Sequence, residues 1–183
     1  MSTNDPTSVS SAALLVVDFQ EKLLPAIDRG QAVVEAALRM IQAARVLGVP
    51  TLLTEQYPRG LGPTVAAVRE ALGQRPAIEK TRFSACVEAV MAELRPMGRR
   101  NVIVAGIETH VCVQQSVLDL LRAGYLPYVC ADATGSRRAL DHQVALDRMR
   151  QAGAVVTTVE SAIFELLGEA GGEQFKQVLR IVR

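Results

Sequence analysis

Short apolar runs alternate with amphipathic stretches along this chain. AALLVV (12–17) is apolar at every position and stops at Asp18, and Val102–Ala105 repeats the pattern before Gly106. Such runs are too short and too β-branched for helices. They predict strands buried on both faces, as in a parallel sheet. PTLLT (50–54), a weaker segment around Ile78 ending near Lys80, LPYVCA (126–131) and AVVTT (154–158) predict further strands.

Helical rhythm fills the gaps. Val33, Val34, Ala37, Leu38, Ile41 and Ala44 recur at helical spacing over 31–47, and Gly48 closes the segment. A short helix is predicted over 65–72, and another from an N-cap at Ser84 through Leu94. Val113, Val117, Leu120 and Leu121 predict a helix that begins around Cys112 and stops at Gly124. Further helices are expected at 139–151, 160–167 and 173–181, whereas EQYPRGLGP (55–63) reads as irregular. No repeat, low-complexity tract or linker interrupts the alternation. It predicts one α/β domain over 11–183, a mainly parallel sheet with helices on both faces, after a flexible polar stretch at 1–10.

Composition narrows the function. At 183 residues and 49% apolar, the chain can build a sizeable core, yet no run is long enough to span a membrane. A formal charge of +1 gives no electrostatic reason to expect nucleic acid or an anionic membrane as partner. Cys86, Cys112 and Cys130 form an odd set without CxxC spacing, which favours a reducing compartment over a disulfide framework. The opening MSTNDPTSVSS lacks an apolar h-region and arginine, so a cytoplasmic protein is expected.

Candidate chemistry gathers where the strands end, since ligands of open parallel sheets bind outside the carboxyl ends of the strands. Asp18, Glu55 with Gln56, Lys80, the 106–112 loop and Asp132 stand at those ends. Cys112 is expected in the first turn of its helix, where unpaired N–H groups favour the thiolate. Asp18 can accept the thiol proton and return it to a leaving group, and Lys80 can hold Asp18 and favour the thiolate. Loop N–H groups can stabilise an oxyanion, which completes a constellation for acyl transfer.

Other readings compete. Asp18 could cap a turn, Lys80 could belong to a solvated face, and Asp132 is expected to organise the turn before the 139–151 helix. His110 lies two residues from Cys112, a spacing at which side chains diverge, so a Cys–His dyad is disfavoured. His142, beside Asp141, is expected to be solvated. The glycines of RGLGP are turn formers, and no phosphate-cradling glycine motif is present. Two histidines without shared ligand spacing do not suggest a protein-bound metal, and no cofactor is expected.

The residues LLVVDFQ, EKTRFSAC and VAGIETHVCV, followed by CADATGSR and RMRQAGAVVTTVESAIFEL, resemble the isochorismatase-like cysteine hydrolase superfamily over nearly the whole chain. The resemblance implies a doubly wound α/β fold and an Asp18–Lys80–Cys112 triad that hydrolyses amide-like C–N bonds through a thioester. It also implies a cis Ile107–Glu108 peptide, with the Glu108 and Cys112 N–H groups forming the oxyanion hole, and a homo-oligomer. The family's nicotinamidases carry metal-holding histidines after the second strand. TEQYPRGLG has none, which argues against a metal-dependent nicotinamidase, and Cys112 argues against vinyl ether cleavage.

The expected activity is therefore metal-independent hydrolysis of a small-molecule amide. Phe19, Leu23, Gln56, Phe83, Thr109, His110 and Ser136 are the pocket-lining candidates. A redox-responsive thiol protein built on Cys112, or an assembly protein with a vestigial site, are the alternatives.

Overall fold

The structure is a computed structural model, and it describes residues 7–73 and 75–183. Six strands form one parallel sheet in the order β3-β2-β1-β4-β5-β6. They are β1 (Ala12–Val17), β2 (Thr51–Gln56), β3 (Ile78–Lys80), β4 (Asn101–Ile107), β5 (Leu126–Gly135) and β6 (Val155–Thr157). β1 and β4 lie at the centre, and the chain winds outward from them in opposite directions. The reversal creates a crevice between the carboxyl ends of β1 and β4.

Eight helices are described: α1 (Gly30–Leu47), α2 (Pro58–Leu61), α3 (Ala66–Ala71), α4 (Glu88–Leu94), α5 (Gln114–Arg122), α6 (Ala139–Gln151), α7 (Val159–Leu167) and α8 (Gly172–Val182). Strand alternation divides the core. Ala12, Leu14 and Val16 of β1, with Ile103, Ala105 and Ile107 of β4, face a layer with α1 and α7. Ala13, Leu15 and Val17, with Val102 and Val104, face α4, α5 and α6. Both faces are covered, which explains why these strands are apolar at successive positions.

Several boundaries move, each for a local reason. β2 runs on to Gln56 because Glu55 and Gln56 pair with Glu79 and Lys80 of the edge strand. β5 extends to Gly135 through an irregularity opposite Val104–Gly106. Pro58–Leu61, within the stretch expected to be irregular, forms a helical turn. Ser84 does not cap a helix, because its Oγ accepts the Cys86 N–H at 3.1 Å and α4 begins only at Glu88. Of the expected flexible stretch, 1–6 lies outside the described residues. Thr7 is buried, and its Oγ1 accepts from Asn101 Nδ2 at 3.1 Å, so the chain is already held there.

Gly106 has a direct structural reason. A Cβ at this position would meet Val17 Cβ at 2.5 Å and Val17 O at 2.6 Å. Only glycine lets the ends of β1 and β4 approach this closely. That approach brings the residues after Val17 and Ile107 together.

Candidate active site

Asp18 leaves β1 in the left-handed region (φ 55°), a conformation that aspartate tolerates better than most residues. Its carboxylate is fully buried. Oδ2 accepts Lys80 Nζ at 2.6 Å and Oδ1 accepts Thr54 Oγ1 at 2.7 Å. Lys80 arrives from the end of β3, two strands away, with its side chain fully buried. Its ammonium also donates to Gln56 Oε1 at 2.8 Å and to the Phe83 carbonyl at 3.1 Å. A buried ion pair needs such extra hydrogen bonds to offset its desolvation. Among the described residues, no buried side-chain nitrogen or oxygen lacks a partner.

Cys112 completes the cluster from β4, but not in the first turn of an α-helix. Thr109–Val113 form a π-helical turn, with Val113 N–H bonded to Glu108 O at 3.1 Å, and α5 starts at Gln114. π turns inside helices recur at functional sites. The Ile107–Glu108 peptide that leads into the turn is cis. Cys112 is 5% exposed.

The electrostatics oppose the thiolate that the helix start was expected to favour. Burial raises the Cys112 thiol first and the Asp18 charge raises it further; Lys80 pulls back only in part, leaving it pushed up to about 12. Helix-start N–H groups do not outweigh these effects. Burial also pushes the Asp18 carboxyl up, while the Lys80 ammonium and the Thr54 hydroxyl pull it down. Desolvation thus favours the neutral thiol and raises the proton affinity of carboxylate and thiol alike.

The surrounding candidates divide. Gln56 is buried, and its Nε2 donates to Thr81 O at 2.8 Å, so it fixes Lys80 and the following loop. Phe19 is fully buried in the α1-side core, which corrects its assignment to the substrate pocket. Leu23 is half-buried against that core. Phe83 is 52% exposed and lines a hollow of about 660 Å³ with Gln114 and Leu118. Thr109 is fully buried, with its Oγ1 2.9 Å from His142 Nδ1. His110 Nδ1 lies 3.0 Å from the buried Ser136 Oγ. The imidazole is therefore committed to Ser136. His142 is half-buried, and desolvation lowers its pKa although Asp28 opposes this, so it is not the solvated residue expected. Asp132 caps α7 instead of serving the turn before α6, accepting the Val159 N–H at 2.8 Å.

Three supports were not foreseen. Gln20, fully buried, accepts the Gln56 N–H at 2.7 Å and donates to Gly62 O at 2.7 Å, which ties β2 to the 57–63 loop. Thr54 orients Asp18. Ser116 donates to Cys112 O at 2.6 Å and accepts the Ala85 N–H at 2.7 Å, so it joins the loop after Lys80 to the Cys112 turn. Fully polar, uncharged residues beside the apolar runs (Gln20 after VVDF, Thr54 after TLL) are the signal available in the sequence. Ser116 carries none.

Glu55 is the strongest metal-ligand candidate after β2, but its Oε1 accepts both N–H and Oγ1–H of Thr64, at 2.6 and 2.7 Å. Among the described residues, no group of three or more His, Cys, Asp or Glu could hold a metal ion. No helix there is long and apolar enough to cross a membrane. Cys86, Cys112 and Cys130 are all free.

A doubly wound sheet with acid, lysine and cysteine converging at its switch point places the chain among the α/β proteins whose candidate site lies at the carboxyl ends of the strands. The isochorismatase domain model matches residues 12–161, and the chain belongs to that family. Isochorismatase domain-containing protein 1 of Salmo salar is 42% identical over 169 residues, 91% of this chain. The chain spans only 59% of that relative's length. Among solved structures, one described as MAR1 ribonuclease from Caenorhabditis elegans is 40% identical, with TM-score 0.92 over 97% of this chain and 92% of that one. YcaC from Pseudomonas aeruginosa, with hexane-2,5-diol and covalent acrylamide, is 28% identical with TM-score 0.91 over 99% and 93%. The Escherichia coli ycaC product, described as an octameric hydrolase of unknown specificity, is 27% identical with TM-score 0.84 over 90% and 83%.

Proposed function

We propose that this protein is a cysteine hydrolase that cleaves a small amide-type C–N bond through a thioester. The observation that carries the proposal is the fully buried Lys80–Asp18 pair, 2.6 Å apart, beside a thiol that burial keeps protonated. Asp18 takes the proton from Cys112 as sulfur attacks the substrate carbonyl, and the C–S bond forms. The carbonyl oxygen gains the electron pair and is held by the Glu108 and Cys112 backbone N–H groups. As the intermediate collapses, the C–N bond breaks and Asp18 gives its proton to the departing nitrogen. Water then attacks the thioester, transferring one proton to Asp18, and the thiol regains it as the acid leaves. Throughout, Lys80 supplies the positive charge against which Asp18 cycles between charged and neutral forms.

The covalent acrylamide on the Pseudomonas relative supports a reactive nucleophile in this fold, and the octameric Escherichia coli relative supports homo-oligomerisation of this chain. No transition-metal cofactor is part of the proposal, because Glu55 is occupied by Thr64 and residues 57–63, directly after β2, include no histidine. The three free thiols suit action in a reducing compartment, the cytoplasm. A thiol-sensor role has less support, since sensor cysteines are exposed and of low pKa. Here burial raises all three thiols, Cys86 to about 11.

The test is a panel of small amides screened for ammonia or amine release, with Cys112→Ala as control. A short RNA belongs in the panel because of the name of the Caenorhabditis relative. Amide turnover that vanishes in the control supports the proposal. RNA cleavage that survives in the control, without amide turnover, overturns it.

A further inference from the structure

A second cavity lies at the same sheet edge, between the start of α1, the end of β5 and the start of α6. It holds about 350 Å³ and is lined by Arg29, Arg39, Ala32, Ala36, Ser136 and His142 among others. Small side chains make the hollow: Ala32 and Ala36 on α1, Ala131 and Gly135 on β5, and Ala139 on α6 all contribute. At Gly135, a Cβ would meet Ile27 Cγ2 at 2.7 Å, so the β5 floor has no room for a larger residue.

Charge gives the hollow its chemistry. Arg29 stands just before α1 in the left-handed region (φ 53°), and Arg39 lies further along the same helix. Neither guanidinium forms an ion pair with an Asp or Glu of the described residues, whereas Arg75, Arg95, Arg122, Arg137 and Arg150 all do. Two unpaired, planar five-donor groups at an apolar pocket suit a carboxylate. Asp28 and Asp132 also line the cavity, so a second negative charge on the ligand would be repelled.

The cavity reaches the Cys112 turn through two hydrogen bonds. Its His142 binds Thr109 through Nδ1 at 2.9 Å, and its Ser136 binds His110 Nδ1 at 3.0 Å. Thr109 and His110 belong to the π turn that carries Cys112.

We propose that this cavity binds a small monocarboxylic acid between Arg29 and Arg39, with its apolar part on the alanines. Occupancy changes the reactivity of Cys112 through His142–Thr109 and Ser136–His110. The site is separate from the proposed catalytic cluster, and both its occupancy and its effect on the thiol can be measured whether or not the protein hydrolyses amides.

Benzoate is the probe, with benzamide as the neutral comparator and phthalate as the diacid. Amide chemical-shift changes report binding, and the rate of Cys112 alkylation by iodoacetamide reports coupling. Benzoate should shift Ala36, Gly135, Ser136 and His142 and change the alkylation rate at least threefold, while benzamide and phthalate bind at least tenfold more weakly. The Arg29→Gln/Arg39→Gln double variant should keep the unliganded alkylation rate and lose both responses. Equal binding of benzamide would overturn the proposal, as would shifts confined to residues around Asp18 and Lys80. So would a benzoate effect on alkylation that persists in the double variant, or the absence of benzoate binding at millimolar concentration.

Discussion

Replacing Asp18 by asparagine should separate ionisation of the thiol from catalysis. The substitution keeps the shape but removes the negative charge that, after burial, is the largest influence raising Cys112. Two unit charges at about 4 Å interact by roughly 4 kcal/mol at an effective dielectric of 20. That corresponds to about three pKa units, so a thiol pushed up to about 12 would fall to roughly 9. At pH 8 the thiolate fraction would rise about a thousandfold. Lys80, left without its partner, is destabilised as a buried cation, and losing its proton would forfeit part of this gain. Hydrolysis should move the other way, dropping by roughly two to four decades, because the asparagine amide cannot accept a proton. The assay is the pH profile of iodoacetamide addition to Cys112 by intact mass, run beside amide turnover on the same preparation. Alkylation that is slower in Asp18→Asn than in the parent would refute the electrostatic reasoning.

Ser116→Ala removes the hydroxyl that joins Cys112 O to Ala85 N–H and leaves a buried donor unpaired. It should cost about 1–3 kcal/mol in urea unfolding, and equal stability would show that the link is dispensable. His142 is held neutral by burial, its folded pKa lying below the ordinary value. Its contribution is therefore present above about pH 6.5 and lost as the pH falls below that value. His142→Gln should accordingly flatten the decline in stability between pH 7 and 5, and an unchanged slope would place the titration elsewhere. Prolonged chelation should leave amide turnover unaltered; activity lost on chelation and restored by zinc would contradict the metal-independent mechanism.

The periodicity of the chain made most of the fold legible, because strands covered on both faces are apolar without alternation. AALLVV and NVIVAGI mark the two central strands, and their ends locate the switch point. Burial of charge was not legible. Flanked by Glu79 and Arg82, Lys80 allows a solvated reading beside that of holding Asp18, and only pairing across three strands brings it, fully buried, onto Asp18. What raises the Cys112 thiol was hidden for a related reason: local N–H groups can be read from sequence, but desolvation cannot. Ser84 failed as a helix cap because its hydroxyl serves a tight turn. Phe19 follows the strand-end aspartate and so reads as pocket-lining, yet the left-handed turn at Asp18 leads it into the core.

The central claim is that Cys112 carries the acyl group during hydrolysis of a small amide. Acid quenching during turnover of an active amide or activated ester, followed by peptide mapping, tests it directly. The account predicts the acyl mass on the peptide containing Cys112, decaying at the rate of acid formation and accumulating in proportion to the early release of amine or alcohol. An acyl group on another residue, or undiminished turnover in Cys112→Ala, would contradict it.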